Sequence, residues 1–279
     1  MGNTKMLRTL RTSFQFVLIA VLAVSLSACA GFNLFGEKKI VEEDIIPAEE
    51  LYDKAILQVE NQRYLSAQKT FDKLERQHPY SEYSERSRLM TVYINARTGR
   101  YEKTILAADR FLALYPSSED APYAMYMKGA AQYNQMKDIT RDQQTAEDAI
   151  STFQTIINNY PGSRYAKDAK ERILIAKDQL AGKEMSVGRY YLGNNNYTAA
   201  INRFRTVVED HQTSTHVEEA LLRLTESYLA LGLVNEAKTA AAVLGHNYPS
   251  SQWYEDAYKL LQKQGLAPEV AEGNWLSDR

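Results

Sequence analysis

The chain has 279 residues, 44% hydrophobic and 24% charged, with a formal net charge of −2, so it has no basic surplus for gripping nucleic-acid phosphates. Its single cysteine, Cys29, excludes an intramolecular disulfide and a cysteine-based metal cluster. The fold must therefore stand on its hydrophobic core, which this length can supply as one large or two small domains.

At the N-terminus, Lys5, Arg8 and Arg11 precede an apolar run from Phe14 to Val24, and small residues follow at Ser27 and Ala28. This is the layout of a secretory signal. The run is shorter than the about 20 apolar residues a spanning helix needs. Leu26-Ser27-Ala28-Cys29 resembles the lipobox of bacterial lipoproteins. That resemblance implies cleavage before Cys29, a thioether-linked diacylglycerol on its sulfur and an N-acyl chain, with no further cofactor. The alternative is an ordinary signal peptide ahead of an unpaired thiol. Loss of residues 1–28, with three positive charges and no acids, takes the net charge from −2 to −5. Two or more acyl chains give stable membrane anchoring. Ala30, where inner-membrane lipoproteins carry aspartate, implies by the same resemblance sorting to the periplasmic face of the outer membrane. Residues 29–47 are small, polar and acidic with little periodicity, and read as a flexible tether.

A repeat follows. His78-Pro79, Tyr115-Pro116, Tyr160-Pro161 and Tyr248-Pro249 open one recurring motif, and His211-Gln212 opens a degenerate fifth copy. Twelve residues before the proline position stand Ala67, Thr104, Ala149, Ala200 and Ala237. Eight before it stand Phe71, Ala108, Phe153, Phe204 and Ala241, and five before it Leu74, Phe111, Ile156, Val207 and Leu244. Offsets of three and four place them on one helical face, and the proline ends the helix. The pattern resembles the tetratricopeptide (TPR) repeat. Tyr133, Tyr191 and Tyr228 take aromatic positions on the first helices, where the usual Trp and Gly are missing. Thr215 and Glu218 have capping-box spacing.

Two intervals are long. Lys137 to Thr145 enlarges the turn inside the third repeat, and helical pattern runs on from about Tyr165 to Leu192. The predicted fold is all-α, a TPR-like solenoid of about five helical hairpins in two lobes. Residues 48–164 hold repeats one to three. Residues 165–264 hold repeats four and five and a terminal helix near Trp253 to Gln264, and residues 265–279 form a mobile tail.

Enzyme chemistry is not legible here. No HExxH, Gly-rich phosphate loop or CxxC occurs, and the four histidines are scattered. Glu49-Glu50 and Glu218-Glu219 sit at expected helix starts, where acids favour the positive end of the dipole. Tyrosine is the compositional outlier, with 19 residues against 8 Phe. Most suit half-buried packing. Tyr80, Tyr83, Tyr123 and Tyr126 are candidates for gripping a peptide along the groove a solenoid offers.

Lipobox and repeats together resemble the BamD (ComL-type) lipoproteins of the outer-membrane β-barrel assembly machinery. The likeness rests on Asp109-Arg110-Phe111 with Tyr115-Pro116, Tyr123-Ala124-Met125-Tyr126-Met127-Lys128-Gly129, Arg141-Asp142-Gln143, Tyr160-Pro161-Gly162-Ser163-Arg164-Tyr165-Ala166 and Ser186-Val187 before Tyr190-Tyr191. It implies docking to the POTRA region of BamA, with other Bam lipoproteins nearby, and capture of unfolded β-barrel precursors. The family's arginine at the BamA contact falls on Arg203. Its precursor-binding region includes the residue before the first motif proline, His78 here in place of tyrosine. A pilotin-like or other cell-envelope scaffold, and a periplasmic glycan-cleaving enzyme on a helical solenoid, are the competing readings.

Overall fold

The structure, a computed structural model, describes residues 44–138 and 141–269. The expected signal segment, the expected lipid attachment at Cys29 and the first part of the expected tether lie outside the described residues. Among the latter are eleven α-helices: α1 (Ala48–Glu60), α2 (Tyr64–Gln77), α3 (Ser84–Arg97), α4 (Tyr101–Leu114), α5 (Ala121–Asn134), α6 (Gln144–Asn159), α7 (Arg164–Gly193), α8 (Tyr197–Asp210), α9 (Val217–Ala230), α10 (Val234–Asn247) and α11 (Gln252–Gln262). All fall in one compact unit that begins at Ile46.

Neighbours in sequence are neighbours in space, so the helices form five hairpins closed by α11. All fifteen residues at the three innermost repeat positions are buried. Burial of this stripe is what selects the hairpin, since isolated helices of this length are marginal in water. Fifteen residues before the proline position, Tyr64, Tyr101, Tyr197 and Val234 are half-buried, and only Ala146 there is fully covered.

The stripe works by complementary volume. Where the second helix carries Phe153 or Phe204, the first helix opposite carries Gly129 or Gly188. A Cβ added to those glycines would lie 2.7 Å and 2.5 Å from the rings. The first-helix glycine of a TPR-like repeat, expected to be missing, is thus present in two hairpins. In the third hairpin the inserted turn displaces it to 24 residues before Phe153, whereas Gly188 stands 16 before Phe204, where other hairpins carry Ala55, Val92 and Thr225.

Inter-helix turns reuse one device. Gln62, Gly99, Asn195 and Gly232 all have φ between 58° and 72°. Each turn returns an N–H across the helix end, as in Arg63 to Gln58, Arg100 to Asn95, Asn196 to Tyr191 and Leu233 to Tyr228. That is the left-handed helix stop glycine favours. N-caps are less regular. The expected Thr215–Glu218 box is absent, because the backbone N–H and hydroxyl of Thr215 both donate to Asp178 on α7. Of the serines beyond the motif prolines, Ser251 caps its helix.

The 30-residue α7 distinguishes this solenoid. Its Ala169 and Ile173 pack with Phe153 and Ile156, while Ala181 and Met185 pack with Phe204 and Val207. The lobe boundary expected at residue 165 falls one residue into this shared helix. At the C-terminus, residues 265–269, expected to belong to a mobile tail, are held against the helical unit, and the rest of that expected tail lies outside the described residues. Leu266 packs against the last core cluster, the Glu269 N–H donates to the Lys238 carbonyl, and the two side chains form an ion pair. Gly265, with φ +71°, makes that reversal possible.

Candidate functional site

A largely apolar groove of about 470 Å³ crosses the first helices of successive hairpins. From α1 come Ile56, Val59 and Glu60, and from α3 Leu89, Met90 and Tyr93. Asp120, just ahead of α5, and Tyr123 follow, and Arg164 and Tyr165 of α7 close the far end. Spacings of three and four put each helix's contributors on one face. That face is left over once the opposite stripe is spent on packing within the hairpin.

The α7 end is built from stacked phenols. The Tyr165 ring lies 5.0 Å from that of Tyr126 and 5.8 Å from that of Tyr123. Tyr126 Oη donates to Asp168 Oδ2 at 2.5 Å, and Arg172 Nε donates to the same oxygen at 2.6 Å. The Arg172 guanidinium lies 5.7 Å from the Tyr126 ring centre and 5.1 Å from that of Tyr133. Burial pushes the Tyr123 phenol up to about 12, so it stays neutral. Burial alone would raise the Asp168 carboxyl, but the hydrogen bonds from Tyr126 and Arg172 outweigh it and hold that group below the usual carboxylate range. The cluster is a rigid, neutral aromatic wall backed by a satisfied ion pair, suited to holding apolar side chains.

The residues expected at the peptide groove separate into two places. Tyr123 lines the groove and Tyr126 backs it. His78, Tyr80 and Tyr83 lie in and beside the α2–α3 turn instead. His78 Nε2 donates to the Ile46 carbonyl at 2.6 Å, and Gln77 Oε1 accepts from the Ile46 N–H at 3.2 Å. The histidine in the tyrosine position thus ties the start of the helical unit to the end of α2. Tyr80 is 97% exposed. Tyr83 stacks at 5.1 Å on Tyr52, and burial, then Glu49, Glu82 and Asp53, raise its phenol pKa.

Arg203, expected at a partner contact, is on α8, the second helix of the fourth hairpin. Its Nη1 reaches Glu184 Oε2 on α7 at 3.1 Å, with side chains 45% and 18% exposed. A larger network lies on the first helices beyond it. Arg189 grips both Glu219 oxygens at 2.8 and 2.5 Å, Arg223 reaches Glu219 and Glu226, and Arg223 also lies 5.8 Å from the Trp253 ring centre. The Glu219 side chain is 12% exposed. Burial would raise its carboxyl, yet the two arginines hold it below the usual range.

Sequence reasoning missed Met90, Tyr93 and the roles of Arg164 and Tyr165. The last two stood inside a motif already singled out, but the turns after the motif differ in length, so first-helix positions do not recur at a fixed offset. Gln143 was visible as part of the Arg-Asp-Gln insertion. It is buried, donates to the carbonyls of Asp138 and Arg141, and accepts from Gln179, pinning the insertion onto α7. Among the described residues, no group of His, Asp or Glu is arranged to hold a metal ion.

Comparison with known proteins adds the relatives. A family model described as YfiO, outer membrane lipoprotein, matches residues 45–244. An outer membrane protein assembly factor BamD from Caulobacter vibrioides is 43% identical over 266 residues, 95% of this chain and 86% of its own. One from Rickettsia prowazekii is 38% identical over 225 residues, 81% and 90% of the two chains. The crystal structure of PilW, a type IV pilus biogenesis factor, covers 75% of this chain and 96% of its own at 15% identity, and its TM-score of 0.28 is too low to equate the two folds.

Proposed function

The chain belongs to the YfiO family of outer membrane lipoproteins, and on that premise we propose how its helices serve the family's work. It is a non-enzymatic, BamD-type outer membrane protein assembly factor, located at the outer membrane. The first-helix groove receives extended segments of unfolded β-barrel precursors. Arg203 and its hairpin dock the POTRA region of BamA, beside other Bam lipoproteins. Cys29 and its acyl chains hold the adaptor at the membrane where insertion occurs, raising effective concentration as a tether does.

The groove is the observation that carries the binding reading. Four hairpins contribute to it, so a segment lying along it meets apolar floor and aromatic wall together. Side chains alternate along an extended segment, which suits a strand that has not yet paired. The described residues form helices and offer no unpaired sheet edge to template aggregation of such a client.

Depletion followed by a census of outer-membrane barrels tests the function, and unchanged porin levels would overturn it. Arg203→Ala tests the docking role. The Arg203–Glu184 pair is exposed, so its loss changes stability by less than about 1 kcal/mol. Recovery of BamA with the variant falls sharply if Arg203 docks it, and recovery at the wild-type level overturns that role.

A further inference from the structure

The first-helix groove has a charge polarity that its apolar floor does not require. Glu60 on α1 and Asp120 before α5 supply its acids, and Arg164 at the start of α7 is its one lining cation. Of the other arginines on these helices, Arg88 pairs with Glu75, Arg172 with Asp168 and Arg189 with Glu219, while Arg97 at the end of α3 bonds the phenols of Tyr64 and Tyr93. Arg164 is likewise bonded to a neutral phenol. Its Nη2 donates to Tyr165 Oη at 2.6 Å, and its guanidinium carbon lies 4.9 Å from that ring's centre. One hydrogen bond uses one of a guanidinium's five donors. Arg164 is therefore positioned without being neutralised, and no ion pair of the described residues claims it.

Two further features sharpen this. Arg164 is the first residue of a 30-residue helix whose N-cap, Ser163, makes no side-chain cap bond, so the positive end of that helix adds to the guanidinium field. Tyr165, which holds Arg164, is also the ring against which Tyr123 and Tyr126 stack. Cation and aromatic wall form one unit. Glu60 at the α1 end and Asp120 beside Tyr123 repel an anion, so Arg164 is the one lining residue that attracts it.

We propose that the groove selects an extended peptide placing an aromatic or apolar side chain against Tyr93 and Tyr123 and a carboxylate at Arg164, which makes Arg164 a specificity-determining residue. The inference rests on the groove reading given above. A chain-terminal carboxylate and an Asp or Glu side chain present the same chemistry, and the guanidinium takes either as a charge-assisted pair. Arg164 sets ligand polarity and Tyr123 sets ligand grip, so the two contributions separate by mutation.

The test uses the full-length lipoprotein in detergent and an N-terminally fluorescent decapeptide alternating aromatic and polar residues. The peptide is prepared as a free acid, as a C-terminal amide, and as an amide with glutamate next to the last residue. Fluorescence anisotropy should show the free acid binding wild type at least 5-fold more tightly than the plain amide. Arg164→Gln should erase that difference, and Tyr123→Ala should weaken all three peptides. Recovery of tight binding by the glutamate amide supports the proposal and assigns the carboxylate to a side chain, whereas its failure alongside a tight free acid assigns it to the terminus. Equal binding of acid and plain amide, still sensitive to Tyr123→Ala, overturns the polarity and leaves the groove reading intact. If no peptide binds, or none responds to Tyr123→Ala, both fall.

Discussion

Gly188→Ala isolates the volume rule that builds each hairpin. An ideal Cβ there would lie 2.5, 2.8 and 2.9 Å from three ring carbons of Phe204. Carbon atoms settle at about 3.5–4.0 Å, so the ring must retreat by about 1 Å. Phe204 is fully buried and shares its cluster with Met185, Ala200 and Val207, so retreat displaces packed neighbours. Overpacking of this kind costs about 1–3 kcal/mol. Against it stands the helical preference for Ala over Gly, about 0.8–1.0 kcal/mol. The clash is severe enough to take the upper part of its range, and the net effect is a loss of about 1–2 kcal/mol. Urea unfolding followed by circular dichroism measures it. Repeating Gly188→Ala in the Phe204→Leu background completes a double-mutant cycle. With the ring gone, the new methyl group should be neutral or stabilising. A gain of about 1 kcal/mol in the wild-type background, as bare propensity predicts, would refute the reasoning, as would an equal cost in both backgrounds. The same hairpin carries Arg203, so on the docking role proposed for that residue Gly188→Ala should weaken BamA recovery in proportion to unfolding, whereas Arg203→Ala should weaken it without unfolding.

Three other outcomes are expected. Gln62→Gly should stabilise the protein by about 0.5–1 kcal/mol, because a left-handed L-residue costs about 1–2 kcal/mol and glycine gives back part of that in chain entropy; an unchanged or lower midpoint would contradict the turn assignment. Glu219→Gln should cost about 1–2 kcal/mol at neutral pH, the charged hydrogen bonds being discounted for the partial exposure of Arg189. Because the folded pKa of Glu219 is lowered, its contribution is present above the ordinary glutamate pKa and is lost as pH falls through the folded value. The stability gap between wild type and Glu219→Gln should therefore close on acidification, and a gap that stays constant below pH 4 would rule out the ionic origin. Cys29→Ser should release the protein from membranes, and its retention through a high-salt wash would exclude lipid anchoring.

The repeat positions and the helix-ending prolines were legible because each is a local requirement. A helix face needs residues at offsets of three and four, and proline cannot continue a helix. Hence Ala67 and Phe204 could be placed in the core from spacing alone. The ligand-facing surface is different in kind. Met90 and Tyr93, Tyr123, and Tyr165 come from three separate hairpins and meet only because successive first helices stack side by side. Their spacing along the chain depends on turns of unequal length, so no period reveals them. Tertiary packing also decided which tyrosines share the groove, sending Tyr123 to its wall and leaving Tyr80 in solvent. It likewise committed Arg203 to Glu184 while leaving Arg164 with a phenol. Sequence alone established a stack of helical hairpins; which side chains line the groove across their first helices, and with what charge, was set by how those hairpins lean on one another.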